Sequence, residues 1–142
     1  MENTFTIASN GDYIEIAVIN YAYLNSQDTY DKNWLNVVIT IKAGAFSGKF
    51  KAFFQTSDFV GLFRYLSEAY DNLSKEYKFT TLEEQLEIEF IGDGFGHINI
   101  DAVAQDQAGI GNTLNFELRI DQTDVKTLIH QLDIILKEYL FR

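Results

Sequence analysis

The sequence predicts an α+β domain: a strongly twisted antiparallel sheet of about six to seven strands, near to closing as a barrel, with two packed amphipathic helices. Three observations carry that expectation. Segments of alternating apolar and polar residues recur along the chain, separated by turns rich in Gly, Asn and Asp. Two other stretches place apolar residues at helical spacing behind a Ser, Thr or Asp cap. The 142 residues contain no proline and no Ser/Gly-rich linker, so they read as one domain, 1–142.

The elements follow in order. Phe5 and Ile7, then Ile14, Ile16 and Val18, alternate on either side of Asn10-Gly11, the signature of a tight hairpin. A polar stretch from Asn25 to Asn33 is a long loop. Leu35, Val37, Ile39 and Ile41 line one face of the next strand, and Phe46, Phe50 and Phe54 one face of its partner. Pairing Ile41 with Phe46 around Lys42–Ala45 sets Trp34 beside Phe53 on the opposite face, near Lys49 and Lys51. A helix capped by Thr56 or Ser57 then carries the stripe Phe59, Leu62, Phe63, Leu66, Tyr70 and Leu73. Three strands follow, centred on Ile88, Ile100 and Phe116. The closing helix has Thr123 as cap and the stripe Val125, Leu128, Ile129, Leu132, Leu136 and Tyr139. One offset carries Phe50, Phe54, Asp58, Leu62, Leu66 and Tyr70 onto Phe116, Ile120, Asp124, Leu128, Leu132 and Leu136. Either a strand–cap–helix unit is duplicated, or any amphipathic strand before a capped helix aligns this well.

Parity locates the charge. Pairing Ile91 with His97, and Gln107 with Thr113, makes the inward rows Ile88–Ile100–Ile120 and Leu86–Ala102–Leu118 apolar throughout. The outward rows become Glu87–Asp101–Arg119 and Glu89–Asn99–Asp121. Arg119 offsets the acids of the first row. Glu89 and Asp121, with Glu117 and Asp93 close by, face no cation, and they form one candidate surface for the lysines or arginines of a partner. Plain solvated surface is the alternative. The second candidate is the loop, where Tyr21, Tyr23 and Tyr30 cluster with Asp28 and Asp31 as tyrosine anchors do at interfaces. These tyrosines equally suit a covering role over Trp34 and the sheet edge.

Composition excludes much chemistry. The chain has no cysteine, two histidines, and 21 acidic against 11 basic residues, a net charge of −10. Disulfides and zinc–thiolate sites are absent, and no Cys/His or Ser/His arrangement suggests nucleophilic catalysis. His97 with scattered carboxylates is a weak metal signal, so no catalytic residue, metal or cofactor is expected. Gly92–Gly96 leads into a strand and reads as a hairpin turn, not a phosphate loop. The net charge repels nucleic acid, leaving Lys49 and Lys51 as a small basic spot. No apolar run reaches membrane-spanning length, and Met1–Phe5 shows no signal peptide, so a cytoplasmic location is expected. Such a field favours a binding protein with a basic partner. An acidic interaction module or adaptor is the competing reading.

Three motifs carry a family resemblance. Asp28-Thr29-Tyr30-Asp31-Lys32-Asn33-Trp34-Leu35 before a strand, Phe54-Gln55-Thr56-Ser57-Asp58-Phe59 opening a helix, and Phe116 through Thr123 opening the last helix resemble the WapI family of bacterial immunity proteins. The resemblance runs from Asp28 to Leu136. It implies a cytoplasmic antidote that binds the toxic C-terminal domain of a wall-associated, contact-dependent toxin. Such domains are often basic nucleases. It brings no catalytic residues, and because each antidote matches its own toxin, it carries no binding face across.

Overall fold

The computed structural model describes residues 3–142; Met1 and Glu2, part of the segment read for a signal peptide, lie outside them. Ten main elements run in the order β1 (Thr4–Ser9), β2 (Asp12–Tyr21), β3 (Trp34–Ala43), β4 (Phe46–Gln55), α1 (Thr56–Asp71), β5 (Glu76–Thr80), β6 (Leu86–Gly92), β7 (His97–Gln105), β8 (Thr113–Asp121) and α2 (Gln122–Glu138). A short 3-10 turn, Asp31–Asn33, precedes β3. The α+β class, the antiparallel pairing and the two helices are as the sequence predicts. The strands, however, number eight and form two four-stranded meanders, β1-β2-β3-β4 and β5-β6-β7-β8, and no barrel closes. The extra strand is β5, Glu76-Tyr77-Lys78-Phe79-Thr80, whose inward Phe79 is fully buried.

One core joins both sheets and both helices. Phe5, Ile16, Leu35, Ile39 and Phe54 from the first sheet meet Phe79, Ile88, Phe90, Ile100 and Leu118 from the second. Leu62 and Leu66 of α1 and Leu128 and Leu132 of α2 complete it. Each helix spans both sheets: α1 touches β4 and β5, and α2 touches β1 and β8. Removing this apolar surface from water is the main driving force for the fold.

The halves repeat one another more fully than a strand–cap–helix unit, since each is four strands followed by a helix. The caps match but sit earlier than Thr56 and Thr123. Gln55 N–H donates to Asp58 Oδ2 at 2.7 Å at the start of α1. At α2, Asp121 N–H donates to Asp124 Oδ2 and Asp124 N–H to Asp121 Oδ1, both at 3.0 Å. That is a reciprocal capping box built from two aspartates.

Three registers differ from expectation, each by two residues, so every side chain keeps its face and only its neighbours change. Ile41 pairs with Gly48, because Gly44-Ala45 makes a two-residue turn with Gly44 at φ +62°. Glycine in the first turn position suits the type II′ geometry that matches strand twist. Ile91 pairs with Asn99. Here Asp93 tightens the turn: its N–H donates to His97 O at 3.0 Å, and its Oδ1 accepts from Phe95 N–H at 2.7 Å and His97 N–H at 3.1 Å. Gln105 pairs with Thr113, across a longer loop tied by Asn112 N–H to Asp106 Oδ1 at 2.8 Å.

Candidate functional site

These shifts redraw the outward rows of the second sheet. The row Glu89–Asn99–Asp121 does not exist. Glu89 instead stands opposite Asp101, and Asp101 opposite Glu117. Three exposed carboxylates therefore cross β6, β7 and β8 in one line, with Lys78 of β5 beyond Glu89. Lys78 Nζ sits 3.4 Å from Glu87 Oε1, in the neighbouring row. Nor does Arg119 offset Glu87 and Asp101. It pairs with Asn99 across the ladder, and its Nη2 lies 3.6 Å from Asp93 Oδ2. Like charges directly opposite each other destabilise a sheet. This row is therefore a cost that packing does not require. A recess of about 340 Å³ borders it, bounded by Asp101, Glu117 and Arg119 and by Asn10 and Asp12 from the β1–β2 hairpin.

Asp93 and Asp121 have structural employment. The backbone hydrogen bonds from Phe95 and His97, then the nearby His97 and Arg119, hold the Asp93 carboxyl below its usual range. Asp121 pairs with His97 across β7–β8 and caps α2; its hydrogen bonds from the Asp124 and Thr123 backbone, with the Asp124 side chain, likewise lower its pKa. Among the described residues no group of three or more His, Asp or Glu stands where it would hold a metal ion.

The loop between β2 and β3 is tied down from within and from the far end of the chain. Asp28 Oδ1 accepts from Tyr30 N–H at 2.8 Å and Asp31 N–H at 3.1 Å, which shapes the turn into β3. Tyr21 is a packing residue: its ring meets Tyr139 edge-on at 5.3 Å and its hydroxyl donates to Leu140 O at 2.7 Å. Burial raises its pKa. Tyr30 stacks edge-on against Trp34, 5.8 Å between centroids, and Trp34 against Phe53 at 6.3 Å, the neighbours the sequence set together. About half of the Tyr23 and Tyr30 surfaces remains exposed, and Asp31 is exposed. No sequence pattern marks Arg142, whose guanidinium lies 4.0 Å over the Tyr21 ring. It donates to the carbonyls of Leu24, Tyr23 and Lys32. Buried Asn33 exchanges hydrogen bonds with the Arg142 backbone, accepting at 2.8 Å and donating at 3.1 Å.

A family model described as the immunity protein WapI-like family matches residues 5–140, nearly the whole chain. No curated protein matches. Among solved structures, the siderocalin Ex-FABP, described as functioning through dual ligand specificities, aligns at 12% identity over 95% of this chain and 81% of its own. Its TM-score is 0.28, too low to bear on fold or ligand.

Proposed function

This chain belongs to the immunity protein WapI-like family, and from that membership we propose that it binds and neutralises, without catalysis, the C-terminal toxic domain of a cognate bacterial polymorphic toxin. The toxin domain is basic, as a nuclease commonly is, and the encounter takes place in the cytoplasm of the producing cell. No helix of the structure is long and apolar enough to cross a membrane.

The observation that carries this reading is the directly opposed row Glu89–Asp101–Glu117. Its mutual repulsion costs stability in the free protein and is relieved when a partner's lysines or arginines lie across it. Because electrostatic steering acts at long range, the row chiefly speeds encounter. Tyr23, Tyr30 and Asp31 form a second contact, held in shape by Asp28 and Arg142. Within the original acidic set, Asp93 and Asp121 act mainly through the turn and the helix cap.

Co-expression with the cognate toxin domain tests the proposal. Growth rescue and co-purification are expected. A toxin that kills equally with and without this protein, and does not co-purify with it, overturns it.

A further inference from the structure

The four edge strands are unequally covered. β1 lies against α2, whose Gln131 Oε1 accepts from Thr6 N–H at 2.9 Å. β5 lies against α1, and β8 lies beside β1. On β4, Gln85 from the 81–85 loop donates to Lys51 O at 3.2 Å and occupies the edge at that residue. The first half is bare. Phe46, Ser47, Gly48 and Lys49 are exposed and Phe50 is half-buried, and among the described residues their backbone bonds only to β3.

The phase of that free edge follows from the ladder. In an antiparallel pair the N–H and C=O of one residue point to the same side, and the side alternates along the strand. Since Lys51 O faces Gln85, the backbone groups of Ser47, Lys49 and Lys51 point away from β3. The two-residue turn closed by Ala43 and Phe46 fixes the same phase. Beside this edge lies a cleft of about 300 Å³ walled by Ile41, Phe46, Phe50, Ala104 and Leu114. Gly48 opens it further, because a Cβ there would meet no atom within 4 Å.

Charge selects the occupant. Lys49 and Lys51 are exposed on the outward face and belong to none of the ion pairs among the described residues. Pairing with a second copy centred on Lys49 would set that lysine against its own counterpart, the way edge lysines prevent self-association. An acidic residue opposite is favoured instead.

We propose that β4 is a docking edge: an extended segment of the toxin domain adds to it as a further strand, with acidic residues opposite Lys49 and Lys51 and an apolar side chain in the cleft beside Gly48. The identity of the partner rests on the toxin-binding reading; the chemistry of the edge does not. Main-chain hydrogen bonds supply affinity in this mode, and the alternating side chains supply specificity.

Two measurements on the full chain test it separately. In the complex with the toxin domain, hydrogen exchange at the Ser47 and Lys49 amides should slow by at least about tenfold. Gly48→Leu, whose side chain enters open space, and the double variant Lys49→Glu/Lys51→Glu should each weaken binding by about tenfold or more. Thermal unfolding of both variants verifies that they fold. A toxin that binds while these amides stay unprotected, or that binds Gly48→Leu unchanged, overturns the proposal. In the free protein, an acetylated and amidated peptide TVEVEIT should shift the NMR resonances of Ser47, Lys49 and Lys51, and TVKVKIT should not. If no toxin binds, the proposed function fails while the peptide still judges the edge: no shift with TVEVEIT, or equal shifts with TVKVKIT, overturns it.

Discussion

The two halves of this chain have the same order, four antiparallel strands and a helix, and bury corresponding faces in one core, yet their strands are charged differently. Those of the first sheet carry three lysines and two carboxylates; those of the second carry two basic residues, Lys78 and Arg119, and six carboxylates. The comparison teaches that the architecture does not demand the acid, since the first half forms the same meander with lysines outward. Buried rows are constrained by packing, whereas outward rows can diverge. With two basic residues against six carboxylates, the strands of the second sheet carry −4 of the net charge of −10, while those of the first are near neutral.

Swapping the character of the halves gives the largest expected effect. Reversing Glu89, Asp101 and Glu117 to lysine should slow association with a basic toxin domain by about 10-fold or more at low salt. Gly48→Leu in the first sheet should act mainly on dissociation, as changes to packed contacts do. Stopped-flow and dissociation measurements on the two variants would break the comparison if both altered the same rate.

The helix caps sharpen it on the stability side. Asp121→Ala removes the capping acceptor of α2 and should lower the urea midpoint of unfolding, with affinity little changed. A smaller effect of opposite sign is expected from Asp101→Asn. Removing the central charge of the opposed row should raise the urea midpoint of unfolding while slowing association. A variant that lost stability would show that the row is supported by contacts beyond the ladder.

The pH response separates the caps most finely. Burial raises Asp58 at α1 from 3.8 to about 6, against the opposing Gln55 hydrogen bond. The folded state thus holds that proton more tightly, and the Asp58 contribution makes stability fall as pH rises from 3.8 towards 6. Asp121 at α2 is lowered from 3.8, chiefly by the Asp124 backbone N–H, so its contribution is present above that pH and lost as pH falls below it. Asp58→Asn should flatten the first segment of the stability profile and Asp121→Asn the second, in denaturation series from pH 3 to 7.

Faces were legible in the sequence and partners were not, for a physical reason. Alternation alone assigns Ile88, Ile100 and Leu118 inward and Glu89, Asp101 and Glu117 outward, whatever the register, provided it slips by two. Register itself is set in the turns, by Asp93 gathering two N–H groups and Asp106 holding Asn112, and those bonds carry no periodic signal. The opposed acidic row was hidden for that reason alone. β5 escaped notice because five residues with two charges make a weak pattern beside a helix end. The loop that carries Tyr23 and Tyr30 was visible as a cluster, but its latch by Arg142 joins residues more than a hundred positions apart.

On the proposed function, the second sheet keeps its opposed carboxylates for a basic partner. The association rate constant of the toxin domain, measured from about 10 mM to 1 M salt for the wild type and the Glu89/Asp101/Glu117 reversal, tests it most directly. A steep fall with salt is expected in the wild type and a flat or inverted response in the variant. Equal slopes for the two proteins would contradict it.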